Sequence, residues 1–373
     1  MTMIIKRDYY LQQLISSKSN NLIKIVTGIR RSGKSFLLFN LFHNHLIETG
    51  ISEDHIIEIA LDDRLNKNLR DPDVILQHIH ERIVDDKLYY IILDEVQMID
   101  EFTDVLNSLL HIRNADVYVT GSNSKFLSKD VVTEFRGRGD EIHLFPLSFA
   151  ELYNSIGGDK FELWKSYYTY GGLPGILELD SEKKKAAYLR SLHETVYLKD
   201  IIERNNLKNS EEFMELMRVM ASCIGSPCNP SKLENTFKSV KNETLDRKTI
   251  SKYLSYMEDA FLIEKSMRYD IKGRKYIGTL SKYYFQDIGL RNALLNFRQV
   301  EENHIMENVI YNELRLRGFC VDVGMVEART AKERKQLEVD FVANMADRRY
   351  YIQSAFAMPD DDKREQECAS LKR

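Results

Sequence analysis

Residues 28–35 read Gly28-Ile29-Arg30-Arg31-Ser32-Gly33-Lys34-Ser35, a G-x-x-x-x-G-K-[ST] run. This stretch constrains the fold most, because it stands in the context such a loop requires. An apolar strand candidate, Leu22-Ile23-Lys24-Ile25-Val26, precedes it, and a helical stretch, Phe36-Leu37-Leu38-Phe39-Asn40-Leu41-Phe42, follows it. Strand, glycine loop and helix in that order predict a phosphate-binding turn in a parallel α/β sheet. The glycines let the backbone curl until the N–H groups from Gly28 to Phe36 face one phosphate, where the helix N-terminus adds partial positive charge. Lys34 then reaches the outer phosphates and Ser35 ligates Mg²⁺. The competing reading is a glycine-containing turn that binds nothing.

A second motif narrows the choice. Tyr89-Tyr90-Ile91-Ile92-Leu93-Asp94-Glu95 is an apolar run ending in two acids. Buried parallel strands read as continuous apolar runs, and ligands of such sheets sit at the carboxyl ends of the strands. Asp94 is placed to hold the Mg²⁺ shell, and Glu95 to take a proton from an attacking water. The alternative is an acid pair that caps the next helix. A third strand, Asp116-Val117-Tyr118-Val119-Thr120, runs into Gly121-Ser122-Asn123-Ser124. Ser122 and Asn123 are candidates to orient the water or contact the nucleotide, against an ordinary turn. In Phe135-Arg136-Gly137-Arg138-Gly139, Arg138 is the first candidate to stabilise transition-state charge, in cis or across a subunit boundary, and Arg136 the second.

The 373 residues suffice for two or three domains. A net charge of −4 does not indicate a globally basic nucleic-acid binder. No apolar run approaches the ~20 residues of a membrane span, and Met1–Arg7 lacks a signal-peptide core. A cytoplasmic protein without a membrane partner is expected. Cys223, Cys228, Cys320 and Cys368 form no C-x-x-C pair, so free thiols are expected.

Residues 1–150 alternate strands near 22–27, 56–61, 89–94, 116–121 and 141–145 with helices near 34–48, 72–84, 101–111 and 124–134. Pro146 breaks this pattern, and 147–224 reads as helical. Helices are then expected at 211–223, 231–240 and 247–259, the last capped by Asp246. Two strand-like runs, Phe261–Tyr269 and Lys275–Phe285, are joined by Asp270-Ile271-Lys272-Gly273-Arg274 as a hairpin. Three helices and a hairpin suggest a winged helix. Its DNA contacts would be Arg247, Lys248, Ser251 and Lys252; packing on another domain or subunit is the alternative. A helix at 303–320 and strands near 319–323, 337–343 and 349–354 complete the chain.

The Gly28–Ser35 loop, Leu93-Asp94-Glu95-Val96-Gln97, Thr120-Gly121-Ser122-Asn123-Ser124 and Phe145-Pro146-Leu147-Ser148-Phe149 together resemble a prokaryotic AAA+ ATPase family. That family carries a C-terminal domain of unknown function. Tyr170-Gly171-Gly172-Leu173-Pro174, Tyr284-Phe285-Gln286-Asp287-Ile288-Gly289-Leu290, Glu307-Asn308 and Glu338-Val339-Asp340-Phe341 extend the likeness over nearly the whole chain. The resemblance implies ATP and Mg²⁺ as ligands, with Lys34, Ser35, Asp94 and Glu95 in the roles above. It implies an AAA+ P-loop domain over 1–147, a helical lid over 148–205, a winged-helix-like domain over 206–295 and a restriction-endonuclease-like α/β domain over 296–373. Glu307 and Asp340 fit the acids of such a nuclease core, but its acid-x-Lys pair reads Gln353-Ser354-Ala355. Loss of that lysine removes a transition-state stabiliser, so a degenerate core is expected, unless Lys332 or Lys335 fills the gap. The core normally continues beyond the last strand seen here, so a truncated or fragmentary domain is expected. Three functions stay open: ATP hydrolysis coupled to conformational change, an ATP-binding switch or scaffold, and a DNA-acting protein. A homo-oligomer, and a DNA or protein partner at the winged helix, belong to these readings.

Overall fold

The computed structural model describes residues 4–121, 137–241, 245–298, 301–329, 334–355, 358 and 360–372. They fall into two compact units: Met1–Gly157 with Asp259–Phe261, and Gly158–Glu258 with Leu262–Arg373.

The first unit is α/β, built on a five-stranded parallel sheet. Its strands are β1 (Ile23–Thr27), β2 (Ile56–Ala60), β3 (Tyr89–Asp94), β4 (Ala115–Thr120) and β5 (Gly139–His143), in the order β2-β3-β4-β1-β5. Every residue of β1 and β3 is buried, as their apolar runs require of central parallel strands. Ile25, Ile57, Ile91, Leu93 and Val119 share a core with Ile75 and Ile79 of helix Pro72–Arg82 and with Val105, Leu106 and Leu109 of helix Phe102–Leu109. Side-chain caps set the helix starts. Asp71 accepts from the N–H groups of Asp73 (3.0 Å) and Val74 (3.1 Å), with Pro72 at the first helical position. Ser148 and Glu151 form a reciprocal capping box. Asp63 caps the 3₁₀ turn Arg64–Arg70 through Leu65 N–H. The expected helix at 124–134 lies outside the described residues.

One charged residue interrupts the apolar run of β1. Lys24 is fully buried and donates to the Asp116 carboxylate and, at 2.9 Å, to Leu22 O. Asp116 also accepts from Tyr118 OH at 2.9 Å and Ser19 N–H at 3.0 Å, so this buried pair is fully hydrogen-bonded.

The second unit begins with helices Lys160–Tyr170 and Glu182–Leu192; the latter widens into a π-helical turn, His193–Leu198, and runs on as Lys199–Asn205. Helices Ser210–Ser222, Pro230–Thr236 and Arg247–Asp259 follow. Asp246 caps the last through the N–H groups of Lys248 (2.8 Å) and Thr249 (3.1 Å), as expected. Strands β6 (Ile263–Asp270) and β7 (Lys275–Phe285) make the expected antiparallel hairpin. It does not stand free as a wing. Arg268–Asp270 pair in parallel with Val323–Met325 of β8 (Cys320–Arg329), and β9 (Arg334–Met345) and β10 (Arg348–Ile352) extend one mixed sheet in the order β10-β9-β8-β6-β7. Alternation in sequence reveals strands, whereas a parallel pairing across more than fifty residues leaves no local pattern.

The segments that carry the family likeness here are braces. The buried Asp287 carboxylate accepts from Gly172 N–H (2.8 Å) and Leu290 N–H (2.9 Å); burial pushes its pKa up to about 6 against these bonds. A Cβ at Gly289 would lie 2.0 Å from Tyr170 O, so helix Ile288–Leu294 meets helix Lys160–Tyr170 only because residue 289 has no side chain.

Candidate nucleotide site

The glycine loop leaves the carboxyl end of β1 beside β4, with β3 next in the sheet. Gly28 adopts φ +138°, and a Cβ there would lie 2.2 Å from Leu144 O, so the loop turns tightly against the chain after β5. Arg31 (φ +66°) and Gly33 (φ +100°) are also left-handed, which curls the backbone before the helix opening at Lys34–Phe36. Ile29 is fully buried and anchors the loop in the core, while Arg31, Ser35 and Phe36 are exposed.

Lys34 is buried, and its ammonium donates to Gly28 O (3.0 Å) and Ile29 O (3.2 Å) inside the loop. Burial lowers its pKa to about 8; the carboxylates of Glu95 and Asp94 oppose this, and Arg30 adds to it. Ser35 Oγ donates to Asp94 Oδ2 at 2.7 Å, joining motifs 59 residues apart. Burial raises the Asp94 pKa, against hydrogen bonds from Thr120 and Ser35. A hydroxyl and a carboxylate side by side are the oxygen donors a hard divalent cation takes, so these residues fit Mg²⁺. Glu95 follows with φ +53°, its N–H donating to Thr120 Oγ1 at 2.8 Å and its carboxylate accepting from Gln97 Nε2.

Thr120, which the sequence reading did not single out, stands at the acid pair: its hydroxyl donates to the Asp94 carboxylate and accepts from Glu95 N–H. A polar residue closing a buried central strand was the available signal. Arg7 was missed altogether. It is buried, pairs with Glu151 at 2.8 Å, and donates to Phe145 O (2.7 Å) and Ser32 O (3.4 Å), bracing the loop from 25 residues upstream. Ser122, Asn123 and Arg136 lie outside the described residues.

Arg138 is not brought to the site. Its carbonyl accepts from Ile23 N–H, and Gly139 pairs with Ile23 where β1 and β5 begin, whereas the loop follows the other end, where Thr27 faces His143. A strand length of roughly 13 Å separates the two ends at ~3.3 Å per residue. Arg138 is exposed and donates to Asn107 Oδ1 at 3.1 Å. Within its own chain Arg138 therefore lies at the opposite end of β1 and β5 from the loop.

A parallel sheet with a glycine–lysine loop on one strand and an Asp–Glu end two strands away is the arrangement of a P-loop protein. Residues 20–153 match the AAA domain family, and residues 161–301 match a domain of unknown function (DUF8612). An uncharacterised protein of Haemophilus influenzae is 34% identical over 365 residues, covering 96% of this chain and 88% of that protein. An uncharacterised protein of Methanocaldococcus jannaschii is 30% identical over 357 residues, covering 91% of this chain and 75% of that protein. The chain belongs to the family of these two uncharacterised proteins. Among solved structures, Cdc6p of Pyrobaculum aerophilum aligns over 83% of this chain and 97% of its own at 12% identity, with a TM-score of 0.33, too loose a likeness to inform function.

Proposed function

We propose that the protein binds ATP with Mg²⁺ and hydrolyses it, and that hydrolysis drives conformational change. The observation that carries this is the Ser35–Asp94 hydrogen bond, which sets the loop and the acid strand around one point. Backbone N–H groups from Gly28 to Phe36 would bind the phosphates, and Lys34 would leave its carbonyl partners for them. Mg²⁺, held by Ser35 and Asp94, would supply charge neutralisation at the phosphates. Glu95 would accept the proton of the water that attacks the γ-phosphorus, with ADP as leaving group. Arg138, exposed and away from its own loop, would act only on a neighbouring subunit's nucleotide in a homo-oligomer. The setting proposed is cytoplasmic; among the described residues, no helix is long and apolar enough to cross a membrane.

The test is ATP turnover measured against protein concentration. Turnover per chain that rises with concentration supports hydrolysis at a subunit boundary; bound nucleotide with a flat, near-zero rate favours the switch. Absence of nucleotide binding ends both. The lysine also gives the site a pH dependence. Phosphates favour its ammonium form, so affinity is expected to be constant below about pH 8 and to fall up to ~tenfold per unit above it. Fluorescent-nucleotide titrations from neutral to alkaline pH check this.

A second reading, DNA binding, is favoured by one observation: Arg247, Lys248, Ser251 and Lys252 are all exposed along helix Arg247–Asp259. In this reading 148–205 is a helical lid, 206–295 a winged-helix-like module and 296–373 a degenerate nuclease-like domain. Salt-dependent retention on DNA is its test.

A further inference from the structure

The second unit holds a charge centre that the nucleotide site does not use. The Lys282 side chain, on β7, is 3% exposed; its ammonium stands 2.8 Å from Glu307 Oε1, 2.8 Å from Glu338 Oε1 and 3.9 Å from Asp340 Oδ1. Glu307 lies on helix Glu302–Leu316, and Glu338 and Asp340 lie on β9. Glu307 Oε1 also accepts from Tyr284 OH at 2.7 Å. Asp340 Oδ2 accepts from both Ser354 N–H and Ser354 Oγ at 2.8 Å. Gln353 Oε1 accepts from Asp340 N–H and from Ser370 Oγ, each at 3.3 Å.

Glu307, Asp340 and Gln353 occupy the places where a nuclease-like core would hold a metal ion, and here they do not fit one. Mg²⁺ demands near-octahedral oxygen ligands at ~2.0–2.1 Å and keeps several waters. The space between these carboxylates is filled by an ammonium group, and one oxygen of Asp340 is committed to Ser354. To admit a metal, Lys282 would have to leave three acids from a buried position, where an unpaired charge is costly. Burial works against the Lys282 charge, but Glu307 and Glu338 outweigh it and hold its pKa above the usual lysine range. Among the described residues, no group of three or more His, Cys, Asp or Glu is arranged to hold a metal ion. Lys332 and the side chain of Lys335 lie outside the described residues.

We infer that Lys282 is an internal cation that takes the metal's place in this carboxylate centre and closes it to divalent ions. The second unit accordingly lacks metal-dependent cleavage chemistry. This rests on the second unit alone and is independent of ATP hydrolysis.

The experiment is Mn²⁺ binding, followed by electron paramagnetic resonance, on the full chain carrying Lys34→Ala and Asp94→Asn to silence the nucleotide site. With Lys282 present, no Mn²⁺ site dependent on Asp340 is expected. Lys282→Ala is expected to create a site at least about tenfold tighter than any in the Lys282 protein, and adding Asp340→Asn should abolish it. Mn²⁺ bound by the Lys282 protein and lost on Asp340→Asn overturns the inference. So does a folded Lys282→Ala chain that gains no Mn²⁺. Should Lys282→Ala not fold, thermal melting of the Lys282 protein decides: an unchanged midpoint with Mn²⁺ supports the inference, and an Asp340-dependent rise overturns it.

Discussion

Glu95→Gln is expected to slow ATP turnover by about a hundredfold to ten-thousandfold while nucleotide affinity stays within a few-fold. The separation follows from where Glu95 sits. Its backbone is held in a left-handed turn, with its N–H on Thr120 Oγ1, and these contacts do not change when the side chain becomes an amide. The phosphate-binding groups lie on another strand's loop. What the substitution removes is an acceptor for the proton of water, and a neutral amide does not replace it. Steady-state turnover compared with fluorescent-nucleotide affinity reads the two effects apart. Equal loss of both would show that Glu95 holds the nucleotide instead.

Lys34→Ala should weaken nucleotide binding by about a hundredfold or more, the scale of losing charge-assisted hydrogen bonds to a phosphate. It should do so without unfolding the protein. Lys34 is buried, and burial lowers its pKa from the unfolded value to about 8. A lysine with a depressed folded pKa contributes stability that is present above its unfolded pKa and lost as pH falls through about 8. At neutral pH its charge is therefore a burden on the empty fold. Removing it unpairs the carbonyls of Gly28 and Ile29, a cost that release of the buried charge offsets. The expected result is a lost affinity beside a melting midpoint shifted by a few degrees at most. Unchanged affinity would mean the loop does not grip phosphate; a collapsed midpoint would mean that Lys34 is a structural residue.

The glycine–lysine loop and the Asp94–Glu95 strand end were legible because their residues are contiguous in the chain. A glycine-dependent turn, a lysine and a hydroxyl at fixed spacing make one site whatever surrounds them, and an all-apolar run states that its strand is covered on both faces. The strands at 23–27, 56–60 and 89–94 were readable for the same reason. The helix start at Asp246 was also a local matter, settled within a few residues by its side-chain cap.

Side-chain partners far apart in the chain were not legible. Arg7 reaches Phe145 O across 138 residues, and nothing in a short N-terminal segment announces a brace for a phosphate loop. Arg138 lies in a motif that looked catalytic, yet strand direction puts it at the far end of the sheet.

By itself, the sequence determined that this chain carries a parallel sheet with a glycine–lysine loop at one strand end and an Asp–Glu pair at another. These are properties of short segments, set by backbone sterics and hydrophobic period. Only the tertiary structure decided that Thr120 bonds the Asp94 carboxylate and the Glu95 N–H, that the hairpin is part of a larger sheet, and that Lys282 stands among Glu307, Glu338 and Asp340. Lateral strand order and the pairing of buried charges depend on which surfaces are excluded from water together, and that is a property of the whole fold.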